Sequence, residues 1–188
     1  MMKAMTANEF QLRTGVSRET LERLTVYSDM LTKWQKSINL VSNTTINDMW
    51  RRHFYDSAQL VNYIDVSKGR PTILDLGSGA GFPGLVLSIL GVGEVHLVES
   101  VGKKCSFMRQ VIKNTDVDAF VHNERIENME HLHVDLITSR ACADLDKLLV
   151  LTEKFIGPKT KCLFLKGEKA DLSDQRSVKM PGGWDRSH

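Results

Sequence analysis

Read only for the alternation of apolar and polar positions, the chain changes character once, near residue 70. Before that point apolar residues recur every three or four positions. Leu21, Leu24, Leu31, Trp34 and Ile38 form one stripe, and Met49, Trp50, Phe54, Ala58, Leu60 and Val61 form another. That is the period of helices with one buried face. Thr6 and Glu9 make a T-x-x-E capping box ahead of a short helix that Gly15 closes, and Ser17 caps the second helix. The third helix follows Thr45. Ser67, Lys68, Gly69, Arg70 and Pro71 break the pattern and mark a linker.

Beyond the linker, short apolar runs alternate with amphipathic stretches. Strands are expected at 72–76, 94–98, 119–122, 135–138 and 162–165. Between the last two lies a helix with Leu145, Leu148, Leu149, Thr152, Phe155 and Ile156 on one face, ended by Gly157 and Pro158. Alternation of this kind builds right-handed βαβ units and a parallel sheet with helices on both faces. The expected fold class is therefore α/β, with a helical cap over residues 1–66 and the α/β domain over 67–188 as one structural unit.

Composition narrows the picture modestly. The 188 residues, 41% hydrophobic and 26% charged, are those of an ordinary globular chain that can bury a real core. No apolar stretch is long enough to span a bilayer, and the N-terminus lacks the apolar core of a signal peptide, so a cytoplasmic protein with no membrane partner is expected. Cys105, Cys142 and Cys162 fit neither a disulfide framework nor a zinc pattern and read as small buried hydrophobes. The net charge of +2 is unevenly spread: Lys103, Lys104, Arg109 and Lys113 fall in an acid-free stretch, and five lysines from Lys154 to Lys169 face one acid, Glu168. Either these are solvated faces or they form a basic rim for a polyanion.

The first strand runs into Gly77, Gly79, Gly81 and Gly84. Four glycines together imply backbone that must come close to something, and a glycine-rich turn at the carboxyl end of a parallel sheet is a nucleotide-type cofactor site. Residues 79–84 formally satisfy the dinucleotide pattern G-x-G-x-x-G. The turn begins at Gly77, however, and Phe82 would crowd a pyrophosphate on the helix N-terminus. The D-x-G-x-G-x-G loop of S-adenosylmethionine enzymes suits the setting better, since no phosphate has to be cradled there. Glu99, directly after the second strand, sits where an acid accepts from both hydroxyls of a ribose; that acid serves either cofactor, so the loop makes the distinction.

The run 34–40 (WQKSINL), Arg52-His53 with Asp56-Ser57, the loop 75–84, Glu99-Ser100 with Gly102-Lys103-Lys104, Ser139-Arg140-Ala141 and Leu165-Lys166-Gly167 occur in that order. Together they resemble the RsmG family, also called glucose-inhibited division protein B, bacterial methyltransferases that modify guanine N7 in 16S ribosomal RNA. The resemblance implies a class I, Rossmann-like methyltransferase fold with S-adenosyl-L-methionine as cofactor. It implies a pocket made by Gly77 and Phe82 from the loop, Glu99, Ile126 and Glu127 after the third strand, and Arg140 after the fourth. It implies 16S ribosomal RNA or the small ribosomal subunit as partner, with Lys103, Lys104, Arg109 and Lys166 toward the RNA. It also implies two further strands after Gly167; Ser177–Met180 supplies one, the last has no candidate, and an incomplete sheet is expected.

Several residues are set aside. His131 and His133 form an H-x-H pair with no third ligand nearby, so no metal is expected. Cys142 lacks the Pro-Cys context of methyltransferases that use a nucleophile, and no Asn/Asp-Pro-Pro-aromatic motif follows the fourth strand. His53 and Asp56, three apart on a helix, read by spacing as a surface hydrogen-bonded pair; the resemblance implies instead that they pack the cap against the cofactor domain. Two other functions share the scaffold: methylation of a small molecule, and RNA binding without catalysis.

Overall fold

The protein is described from a computed structural model, in which residues 3–140 and 145–165 are placed. Helices α1 (Ala7–Thr14) and α2 (Arg18–Gln35) begin where the capping residues predict. Thr6 Oγ1 accepts from the Glu9 amide while Glu9 returns a bond to the Thr6 amide, and Gly15 ends α1 in the left-handed region at φ 69°. The third expected helix is not a regular one. It is a chain of short pieces: a 3₁₀ turn (Ile46–Asp48), a π-helix (Trp50–Tyr55), the short α3 (Asp56–Ala58) and a second 3₁₀ turn (Gln59–Tyr63). The irregularity has identifiable causes. Arg140 Nη2 donates to the Arg52 carbonyl at 2.7 Å, and the Ser57 hydroxyl adds a 2.6 Å bond to the His53 carbonyl, which also accepts from the Asp56 amide.

Among the described residues five strands form one parallel sheet in the order β3-β2-β1-β4-β5: β1 (Thr72–Leu76), β2 (Glu94–Val98), β3 (Ala119–His122), β4 (Leu136–Ser139) and β5 (Lys161–Phe164). The first three match the sequence expectation residue for residue, whereas β4 begins one residue later than expected and β5 one residue earlier. Both bounds follow from pairing: Ile73 sits opposite Leu136 and Leu136 opposite Lys161, so register with β1 sets where they start. Order reverses at β1, which lies between β2 and β4, and ligands bind at such a switch point in open α/β sheets.

Helices α4 (Gly84–Ile89) and α5 (Gly102–Thr115) cover one face, and α6 (Leu145–Thr152) belongs to the other. The larger core joins Leu85, Leu97, Phe107 and Val111 to Phe10, Leu24, Tyr27, Leu31 and Phe54 of the cap. Cap and sheet therefore share one apolar interior, and neither hides its buried surface without the other. Across the sheet, Leu74, Leu76, Val98, Ile137, Leu148 and Phe155 form a smaller core. The expected strand at 177–180, the open question of an incomplete sheet, Cys142 and Lys166 all lie outside the described residues.

Candidate functional site

At the carboxyl ends of β1, β2 and β4 a cavity of about 360 Å³ opens between the glycine loop and the cap, within the range that holds a small organic ligand. Gly77, Ser78, Gly79, Ala80, Phe82, Glu99, Lys104 and Arg140 line it from the sheet side. Asn39, Leu40, Val41, Ser42, Thr45 and His53 line it from the cap. Of the residues expected from sequence, Gly77, Phe82, Glu99 and Arg140 are brought together here. Ile126 and Glu127 stand in the 3₁₀ turn Ile126–Asn128 past the end of β3, at the same end of the sheet, and do not line this cavity.

The four glycines divide by purpose. Gly77 has φ +64°, and no atom of the described residues lies within 4 Å of where a Cβ would stand, which leaves that side open to a ligand. Gly81 and Gly84 are required by the protein itself. A Cβ at Gly81 would fall 2.4 Å from Leu85 Cδ1, and one at Gly84 would fall 2.4 Å from Leu97 Cδ2 and 2.9 Å from Asp75 Oδ2. The density of glycine is thus only partly about a cofactor: Gly84 lets α4 pack on β1 and β2, Gly81 leaves room for Leu85 and the Tyr27 hydroxyl, and Gly79, at φ +57°, meets only the Gly77 carbonyl oxygen at 3.9 Å.

Glu99 is buried, and each carboxylate oxygen takes one backbone amide: Gly79 N at 2.9 Å on Oε2 and Val101 N at 2.8 Å on Oε1. Each oxygen keeps lone-pair capacity for a further donor, which is what a ribose diol presents. Beneath the loop, Asp75 is fully buried. Thr138 Oγ1 donates to its Oδ1 at 2.8 Å, and Oδ2 has no hydrogen-bond partner among the described residues. Burial raises its pKa to about 6, against the pull of Thr138, Ser78 and the Gly84 amide; that amide lies close to the carboxyl without reaching hydrogen-bonding geometry.

Phe82 is the hub joining cap and loop. Its ring stacks on Tyr27 (5.1 Å, 14°) and on His53 (5.1 Å, 28°), and the Arg140 guanidinium carbon stands 5.7 Å from its centroid. Tyr27, wholly buried in α2, donates its hydroxyl to the Ala80 carbonyl at 2.5 Å and so ties the loop to the cap. His53 is buried, and burial together with the charges of Arg140 and Arg52 lowers its pKa to about 3. It is neutral under physiological conditions. The Thr45 hydroxyl gives its proton to the Ser42 carbonyl at 2.9 Å, so in the 2.9 Å contact between His53 Nε2 and Thr45 Oγ1 the ring is the donor. This tautomer, assigned from the hydrogen-bond network, leaves Nδ1 as a buried acceptor with no hydrogen-bond partner among the described residues. His53 is thus a buried packing group, not the surface partner its spacing alone suggests, and also part of the cavity wall. Nothing local in the sequence singles out Tyr27 or Thr45, because their roles arise from contacts with Ala80 and His53 made in the folded chain.

The basic residues separate. Lys104 lines the cavity, while Lys103 and Arg109 are exposed on α5, Arg109 with a 3.3 Å bond to the Val121 carbonyl. His131 and His133 form an exposed edge-to-face pair in the connection before β4, and no group of three or more metal-ligating side chains occurs among the described residues. No helix among the described residues is long and apolar enough to cross a membrane.

The profile of the family described as rRNA small subunit methyltransferase G matches residues 20–178. The chain belongs to this family. It is 51% identical over 164 residues to the ribosomal RNA small subunit methyltransferase G of Rhodospirillum centenum, covering 87% of this chain and 75% of that protein. The protein of the same name from Paramagnetospirillum magneticum is 49% identical, with 89% and 80% covered, and that of Caulobacter vibrioides 41%, with 90% and 79%. The family expected from the ordered motifs is therefore the family found, and with it a methyltransferase. Among solved structures the YcgJ protein from Bacillus subtilis superposes with a TM-score of 0.51 at 16% identity, over 60% of this chain and 50% of that one. That likeness concerns the fold alone.

Proposed function

We propose that this methyltransferase transfers a methyl group from S-adenosyl-L-methionine to N7 of a guanine in 16S ribosomal RNA, in the cytoplasm. The observation that carries the reading is a cavity built for placement without proton chemistry. An open glycine loop, the Glu99 carboxylate and the Arg140 guanidinium converge on it, while its histidine is held neutral with its N–H already committed to Thr45. When bound, the cofactor supplies an electrophilic methyl group on a positively charged sulfur.

In this reading the open side of Gly77 and the Phe82 backbone seat the amino-acid part of the cofactor, and Glu99 accepts from the ribose. Ile126 and Glu127 border the base beyond the β3 end. Arg140, held by the Arg52 carbonyl and by Phe82, orients the cofactor carboxylate or the guanine. Guanine N7 carries an in-plane lone pair and no proton, so attack needs no general base, and alignment is the main resource. Lys103 and Arg109 are assigned to RNA phosphates and Lys104 to the cavity mouth; Lys166 is assigned with them from its motif alone. The test is transfer of labelled methyl groups to 16S RNA, to small ribosomal subunits and to a panel of small metabolites, followed by cleavage specific for 7-methylguanine. Label in subunits at a cleavable site supports the reading. Label only in a metabolite overturns it in favour of a small-molecule enzyme.

A further inference from the structure

Segment 39–45 forms the cap-side wall of the cavity, yet it is nearly devoid of regular secondary structure and mostly polar. A segment of this kind holds a shape only if something outside it satisfies its backbone. For residues 40 and 41 that something is one side chain, while Ser42–Thr45 closes a turn of its own, the Thr45 amide donating to the Ser42 carbonyl at 3.0 Å. Gln35, the last residue of α2, accepts from the Leu40 and Val41 amides on Oε1 (3.0 and 3.1 Å). From Nε2 it donates to the Val41 carbonyl (2.8 Å) and toward the side-chain oxygens of Asn43 (3.0 Å) and Asn39 (3.3 Å). The far end of the segment is pinned separately, by His53 donating to Thr45 and Thr45 to the Ser42 carbonyl. Gln35 stands behind the wall and does not itself line the cavity, whereas Thr45 and His53 line it.

We propose that segment 39–45 is the surface against which the target base is held during transfer, and that Gln35 is its positioning residue. The inference rests on the function proposed above. The groups assigned to the cofactor, Gly77, Glu99 and Arg140, all stand on the sheet side of the cavity. In-line displacement puts the attacking atom opposite the departing sulfur, so the base approaches along the wall that the cofactor's anchors leave free. An error of an ångström there is enough to slow transfer by orders of magnitude. Glutamine does not titrate, so its effect is geometric and equal at every pH.

The test compares wild type with Gln35→Met, which keeps the length of the side chain and removes its hydrogen bonds. Affinity for S-adenosylmethionine is read by calorimetry, and the single-turnover rate is read with saturating cofactor and small ribosomal subunits that lack 7-methylguanine. The expected result is a cofactor affinity within about twofold of wild type and a rate lower by at least about tenfold at both pH 7 and pH 9. A rate within twofold of wild type overturns the proposal. So does a loss of cofactor affinity as large as the loss of rate, which would assign the wall to the cofactor. Should Gln35→Met fail to fold by thermal melting, Gln35→Glu keeps acceptors for the Leu40 and Val41 amides and removes the donors to the Val41 carbonyl, Asn43 and Asn39, and the same two outcomes decide. A wild-type protein that methylates no subunit RNA overturns the functional reading itself, an outcome separate from a working wild type with a working variant.

Discussion

Asp75 shows how one buried side chain couples stability to pH. Its pKa rises on folding, so the folded state binds a proton more tightly than the unfolded chain, and its contribution is fully present only below about pH 3.8. Stability then falls as pH climbs from about 3.8 to about 6, the carboxyl's ordinary and folded values. Two pKa units correspond to about 3 kcal/mol. Denaturant titrations across pH 4–7 should show that loss in the wild type and not in Asp75→Asn; parallel curves would mean that the carboxylate is solvated. At Gly77 and Gly84 the same type of substitution should act in opposite ways. Gly77→Val places a branched side chain in the left-handed region, at roughly 1–2 kcal/mol of strain, and into the open side of the loop. Cofactor binding should vanish from calorimetric titration while the protein stays folded. Gly84→Ala meets Leu97 and Asp75 instead and should cost about 1–3 kcal/mol in a thermal melt.

Among the elements, α5 carries the claim about RNA. Lys103 and Arg109 stand exposed on it, whereas Lys104 turns to the cavity. Neutralising Lys103 and Arg109 together should flatten the log–log dependence of RNA affinity on salt by about one to two units while leaving cofactor affinity unchanged. An unaltered slope would remove α5 from the RNA interface. The elements were legible to different degrees for a physical reason. Strands β1, β2 and β3 are bounded by local signals, Pro71 before β1 and the glycine turn after it, and their limits match the expectation. The π-helix Trp50–Tyr55 was not legible, because it depends on Arg140, 88 residues from Arg52 along the chain, drawing out a carbonyl.

On the scale of the whole molecule, cap and sheet meet at Phe82, and the mechanism inherits its pH behaviour from that junction. Of the groups around that junction, burial displaces His53 to a pKa of about 3 and Asp75 to about 6, so both are largely deprotonated by about pH 7. Single-turnover methyl transfer at saturating substrates should therefore be nearly flat between about pH 7 and 9. Arg140→Ala should lower it throughout that range without adding a slope, since the guanidinium stays charged across it. A rate rising tenfold per pH unit would show that a proton must leave before transfer, and guanine N7 would then be the wrong target.

The sequence alone determined the order of strands and helices, the glycine loop with Glu99 at the next strand end, and the family. Each is written in local patterns of apolar period, turn residues and motif spacing. Tertiary structure decided what those residues do to one another. It divided the glycines between open loop and helix packing, set Lys104 at the cavity while Lys103 and Arg109 stay exposed on α5, and made His53 a neutral wall group as well as a packing residue. It also gave Gln35 a segment to hold. These outcomes depend on burial and on contacts between residues distant in the chain, such as Tyr27 with Ala80 and Arg140 with Arg52. Period and spacing carry no record of such contacts, because they form only when cap and sheet close over a common core.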